Sequence, residues 1–178
     1  MGSQNLTVAE FMSQARSALA GGVTKASLAV VAQRLSEVSQ APDFIPAAEL
    51  KTMHGSGSTA SVLQTDADGL TLVLGLFSPK AETPIHDHNS WGIACVVRGE
   101  DRYRHWDLGP DGRLTLLYER VLSPGDFVTW LDPPSDIHSQ QGIGEPVLEL
   151  VLFGKNSMAL PRRYFNVDTG EVRTALPQ

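Results

Sequence analysis

Near Ser58 the hydrophobic period of this chain changes, and that change limits the possible folds more than any other feature. Before it, apolar residues recur at helical spacing: Val8, Phe11, Met12, Ala15 and Leu19 in one run, then Leu28, Val31, Ala32, Leu35 and Val38 in the next. Thr7 and Glu10 stand in the Thr-x-x-Glu order of a capping box, in which side chain and backbone at a helix start satisfy each other's hydrogen bonds. The first run ends at Gly21-Gly22, Thr24 or Ser27 opens the second, Pro42 closes it, and Pro46 to Leu50 leaves room for one short turn. After Ser58, short extended runs follow one another over 62–64, 70–77, 92–98, 101–108, 114–122, 127–131 and 147–153. Their separators, among them Asp66-Ala67-Asp68-Gly69, Ser123-Pro124-Gly125 and Gly142-Ile143-Gly144-Glu145-Pro146, supply the residues that turns require. Regularly spaced short strands without helices between them predict a mainly β protein, an antiparallel sandwich or barrel, with the helices packed outside it. At 178 residues the chain suits one domain, divided into a helical segment over 1–57 and a barrel over 58–178.

A formal charge of −6 argues against nucleic acid or an anionic membrane as partner, and leaves a small molecule as the expected one. The single cysteine, Cys95, cannot form an internal disulfide, and its apolar surroundings predict a buried, inert thiol. Neither a secretory signal pattern nor a run of about twenty apolar residues is present, so a cytoplasmic protein is expected. Met1-Gly2-Ser3 has the look of a cloning remnant.

Chemistry is concentrated in Pro84-Ile85-His86-Asp87-His88-Asn89-Ser90-Trp91-Gly92. On a strand, residues i and i+2 share a face, so His86 and His88 can reach one ion while Asp87 points away from it. A third imidazole, His138, comes fifty residues after His88, in Pro133-Pro134-Ser135-Asp136-Ile137-His138. Histidines so spaced also occur as plain hydrogen-bonding groups. As ligands, three imidazoles would cap a metal and leave part of its coordination sphere open. Imidazole suits Zn, Cu, Fe and Ni alike, and a neutral ligand set leaves a divalent ion its full charge, which favours an anionic ligand such as a thiolate or an enolate.

The order His-x-His, Gly99, Pro124-Gly125, His138 resembles the two histidine-bearing motifs of the cupin superfamily. Within it, His-Asp-His followed by Trp91-Gly92, with Asp136-Ile137-His138 much later, is similar to the cysteine dioxygenase branch, and most to the bacterial mercaptopropionate-type thiol dioxygenases. The resemblance runs over residues 60–155. It implies a jelly roll of two antiparallel sheets, with Fe(II) held by His86, His88 and His138, and Zn(II) or Ni(II) as alternatives. It further implies O2 as co-substrate and oxidation of a small thiol to a sulfinic acid, both oxygen atoms ending on sulfur.

Departures from that family narrow the expectation. Many cupins carry a glutamate after the second histidine as a fourth ligand, and the corresponding place here is Gly92. The same glycine matches the cysteine that some relatives cross-link to a tyrosine. That tyrosine belongs to a Ser-x-His-x-Tyr strand whose counterpart here reads Glu149-Leu150-Val151-Leu152-Phe153, so Glu149 is expected at the site unless the strand register slips and turns it to solvent. The early carboxylate-binding arginine is missing from residues 59–64, which makes cysteine itself an unexpected substrate. Mercaptopropionate-type enzymes carry an arginine downstream of their late tyrosine, and at that distance past Phe153 stands Arg162, followed by Arg163. Either could bind a substrate carboxylate through a bidentate pair; otherwise both are solvated surface charges. Tyr103 and His105 share a strand face and either line the pocket or bond structurally, Trp91 and Trp130 belong to core or pocket wall, and His54 is expected to be exposed. Ser139, Gln140 and Gln141 are expected to orient His138.

Three function classes follow. The first is a non-heme iron dioxygenase acting on a small mercapto acid. The second is a three-His cupin oxygenase that cleaves C–C bonds of a diketone-like substrate bound as its enolate. The third is a non-catalytic cupin that binds a metal or small ligand.

Overall fold

In the computed structural model, which describes residues 6–55 and 57–177, three helices precede eleven strands. The helices are α1 (Val8–Leu19), α2 (Lys25–Ser39) and α3 (Ala47–Thr52). The strands are β1 (Thr59–Thr65), β2 (Thr71–Phe77), β3 (Ile85–His86), β4 (Gly92–Arg98), β5 (Asp101–Leu108), β6 (Leu114–Leu122), β7 (Phe127–Trp130), β8 (His138–Gly142), β9 (Val147–Phe153), β10 (Arg162–Phe165) and β11 (Val172–Ala175). Met1-Gly2-Ser3 lies outside the described residues.

All recorded strand pairs are antiparallel, and they form two sheets in the orders β1-β2-β9-β4-β7 and β11-β10-β3-β8-β5-β6. The mainly β, two-sheet jelly roll with helices outside is therefore the fold observed. Its layering is written into β2 and β9. Leu72, Leu74 and Leu76 of β2, with Leu148, Leu150 and Leu152 of β9, face one way and pack beneath Phe11, Met12, Leu28, Ala32 and Leu35 of the helices. Val73, Val147, Val151 and Phe153 face the other way, into the barrel. Buried on both faces, each strand reads as a nearly unbroken apolar run. Each large aliphatic side chain so buried contributes roughly 1.5–3 kcal/mol.

The helix starts follow the sequence: Thr7 and Glu10 form the expected capping box, and Thr24 caps α2 with Ser27 closing its own box. Asp66-Ala67-Asp68-Gly69 turns β1 into β2, with Gly69 at φ +92°, a backbone state that a glycine reaches without side-chain strain. Cys95 is fully buried beside Ser39, and burial pushes its thiol up to about 11.

Strands β10 and β11 were not expected, and β3 and β8 were expected only as the extended segments that carry the histidines, not from hydrophobic period. β3 is only two residues long. β8 reads His-Ser-Gln-Gln-Gly and β10 begins Arg-Arg, so their inward residues are polar and hydrophobic period passes over them. These are the strands that carry the site.

Candidate metal centre

His86 of β3 lies directly opposite His138 of β8, and the candidate ligand nitrogens of His86, His88 and His138 all fall within 4.8 Å of one another. His88 Nε2 and His138 Nε2 are 3.1 Å apart. The expectation that His86 and His88 share one strand needs correction, because β3 stops at His86. Asn89 adopts a left-handed backbone (φ 55°), and the N–H groups of His88 and Asn89 donate to Asp136 Oδ2 at 2.9 and 2.8 Å. A buried carboxylate two residues before the third histidine thus holds the second one in place. Asp87 turns away as expected and accepts from the Arg163 backbone N (2.7 Å) and Nε (2.5 Å).

The imidazoles are set up as neutral donors of lone pairs. His86 Nδ1 is 2.8 Å from the Pro84 carbonyl, which can only accept, so Nδ1 carries the hydrogen and Nε2 faces the cluster. His138 Nδ1 lies 3.1 Å from the Tyr103 hydroxyl, and ligation through Nε2 requires Nδ1–H to donate to that oxygen. Burial lowers the His86 pKa to about 4, aided by the positive charge of Arg162. Burial also pushes His88 and His138 well below 6.5, reinforced in each by the neighbouring His86. Neutral, converging nitrogens are a donor set that a divalent transition metal can take; the second nitrogen is tied back in His86 and His138, whereas His88 Nδ1 has no partner among the described residues.

Ser139, Gln140 and Gln141 do not orient His138. Ser139 joins Trp106 to Glu82, Gln140 donates to Glu149 and Gln141 donates to the Pro79 carbonyl. Alternation along β8 turns Ser139 and Gln141 to the other face of the sheet, and Gln140 reaches across to β9. Tyr103 does the orienting instead. His105 stacks on Tyr118 at 5.1 Å, and His54 is exposed.

Trp130 and Phe153 close the site from the opposite sheet. Trp130 stacks on His88 at 5.9 Å and meets His138 edge-on at 5.0 Å, while Phe153 lies 4.6 Å from His88. A side chain at Gly92 would place its Cβ 2.2 Å from the Trp130 ring, so indole fills the space that a ligand side chain at this position would need. Trp91 belongs to the helix-side core.

The histidines open on a cavity of about 410 Å³. Arg162 lines it; Arg163 does not, because alternation along β10 sends the two side chains to opposite faces. Arg162 is 8% exposed, its Nη2 is held by the Ser157 carbonyl (3.3 Å), and its Nε has no partner among the described residues. Arg163 instead pairs with Asp87 and lies over Phe165. Glu149 faces the barrel interior and is fully buried, one step deeper than the cavity wall formed by Val151. It accepts from Gln140 Nε2 at 3.1 Å, and burial beside Asp101 raises its carboxyl well above the usual range. Burial likewise raises Asp101, to about 7. Asp101 Oδ2 and Glu149 Oε1 otherwise lack donors, and one proton carried by Glu149 and donated to Asp101 satisfies both.

No family model matches the chain, and no curated protein matches it. Several solved structures are distantly similar. An oxalate oxidase aligns over 60% of this chain and 55% of its own at 22% identity and a TM-score of 0.47. The DMSP lyase DddQ from Ruegeria pomeroyi aligns over 59% and 50% at 20% identity and a TM-score of 0.45. A cupin-like protein from Thermotoga maritima aligns over 63% and 78% at 21% identity and a TM-score of 0.45. The matched part spans about half the length of the first two, and likeness at this level assigns no activity. No helix among the described residues is long and apolar enough to cross a membrane.

Proposed function

We propose that this protein is a cupin-type thiol dioxygenase that oxidises a mercapto acid other than cysteine to its sulfinic acid with O2. The supporting observation is that three neutral imidazoles and the Arg162 guanidinium line one cavity. His86, His88 and His138 would hold Fe(II), with Zn(II) or Ni(II) as alternatives. A bound Fe(II) supplies the redox chemistry by which both atoms of O2 pass to sulfur, and thiol plus O2 already balances the sulfinic acid, so no reductant enters. Arg162 supplies a fixed cation in the cavity wall: its tie to Ser157 orients the guanidinium, whose charge can pair with a substrate carboxylate. Trp130, Phe153 and Val151 exclude water from the histidine cluster. Arg163 acts indirectly, by holding Asp87 and with it the His86–His88 segment. Glu149 acts through Gln140, which it fixes on the cavity wall. A cytoplasmic setting, where thiols stay reduced, suits this chemistry.

Anaerobic loading with Fe(II), then O2-uptake assays on a panel of thiols and diketones, tests the reading. Sulfinate formed in step with O2 consumed supports it; turnover of diketones alone replaces it with C–C bond cleavage. That second reading is favoured by one observation, the aromatic Phe153 packed on His88 where the thiol dioxygenases carry a tyrosine hydroxyl.

A further inference from the structure

A mercapto acid of three carbons would leave most of this cavity empty. At about 410 Å³ it falls in the range of roughly 300–1,000 Å³ typical of pockets that bury drug-sized ligands. Its two walls differ in kind. The six-stranded sheet presents His86, His138, Gln140, Arg162, Tyr164 and Arg173. The five-stranded sheet presents Val73, Phe77, Ala94, Val151 and Phe153, with the Phe77 ring folded back over Gly75, 2.8 Å from where a Cβ would stand. No polar side chain from β2, β4 or β9 reaches the cavity among the described residues. The space runs toward the outer edges of the two sheets, where Thr59 and Ala60 of β1 come near Arg173 of β11.

Ordered water needs two to four polar partners, and the apolar wall offers none, so a small polar substrate would leave that wall against poorly bonded water. A hydrocarbon there gains its full burial energy. The geometry points to an amphipathic acid as substrate: a carboxylate and metal-binding head on the histidine–arginine wall, and a medium-length hydrocarbon body along Val73, Ala94 and Phe77. This inference rests on the reading of that wall as the substrate site, and it changes the substrate from a small acid to a larger one.

The test is isothermal titration of the Zn(II)-loaded protein, which carries no redox chemistry, with straight-chain carboxylates from propionate to decanoate and with 3-mercaptopropionate and 8-mercaptooctanoate. Affinity should rise about fourfold for each methylene buried, until the cavity is filled, in the thiol and the thiol-free series alike. In Arg162→Ala the whole series should weaken together by at least about tenfold, as loss of a charge-assisted pair requires. Equal affinity for propionate and octanoate overturns the inference, and so does an Arg162→Ala variant that binds every member of the series as tightly as the wild type. The dioxygenase reading fails separately: if affinity rises with chain length but the Fe(II)-loaded protein oxidises neither mercapto acid, the amphipathic substrate stands without the thiol chemistry. If affinity stays flat while 3-mercaptopropionate is oxidised, the thiol chemistry stands without the amphipathic substrate.

Discussion

At His138 and at Gln140, two residues apart on β8, the barrel interior carries polar layers of opposite character. Around His138 three imidazoles are buried with ring nitrogens converging on one point, where His88 Nε2 and His138 Nε2 stand 3.1 Å apart. Around Gln140 a carboxyl pair, Glu149 and Asp101, is buried as deeply, but the amide of Gln140, the backbone of Gln141 and one shared proton satisfy it. Burial works against charge in both layers, pulling the histidines down and pushing the carboxyls up. A shifted pKa therefore does not separate them. What does is closure: the carboxyl layer is complete within the protein, whereas the histidine layer converges on a point that a cation can take and opens on a cavity with Arg162 in its wall.

Substitutions in each layer should separate their roles. The largest effect is expected at Arg162→Ala, which should raise KM for an acidic substrate by about two to three orders of magnitude, since losing one member of a shielded charge pair costs roughly 2–5 kcal/mol. Metal content should stay at the wild-type level, and Arg163→Ala should give a smaller KM change in the same steady-state assay. Tyr103→Phe removes the partner of His138 Nδ1 and should weaken metal affinity by about 10–100-fold in a chelator competition. Glu149→Leu should leave metal affinity unchanged but lower stability by about 1–3 kcal/mol in urea unfolding, because Gln140 and Asp101 lose their partner.

A further effect is a pH slope. Asp101 has an ordinary value of 3.8 and is raised to about 7 in the fold. Between these values the folded state holds a proton that the unfolded chain has released. The stability tied to that proton is fully present below about pH 4 and is lost as pH rises toward 7, by at most about 1.4 kcal/mol per pH unit. Asp101→Asn should flatten this fall, read as the difference in urea midpoints between variant and wild type at about pH 5 and pH 7.

The helices and the two-sided strands were legible because one physical demand shapes each: a single apolar face in α1 and α2, burial on both faces in β2 and β9. The three histidines were legible from spacing and order. β8 and β10 were not, because their inward positions hold His138, Gln140 and Arg162, polar residues that serve the site and erase the apolar signal. Without β10 as a strand, Arg162 and Arg163 could not be told apart; its alternation places one in the cavity and the other on Asp87. Tyr103 was noticed, but its bond to His138 depends on the β5–β8 register, which sets Tyr103 opposite Gln140 and His105 opposite His138. Gly92 was read as a missing ligand, while the indole that fills its place comes from Trp130, directly across the β4–β7 pair.

Metal stoichiometry of the wild type and of His86→Ala, His88→Ala and His138→Ala, measured by elemental analysis after purification and reloading with Fe(II), tests the open histidine layer most directly. The expected result is about one metal ion per chain in the wild type and severe loss in each variant, since two imidazoles hold a divalent ion poorly against water. Wild-type metal content retained by all three variants would contradict it.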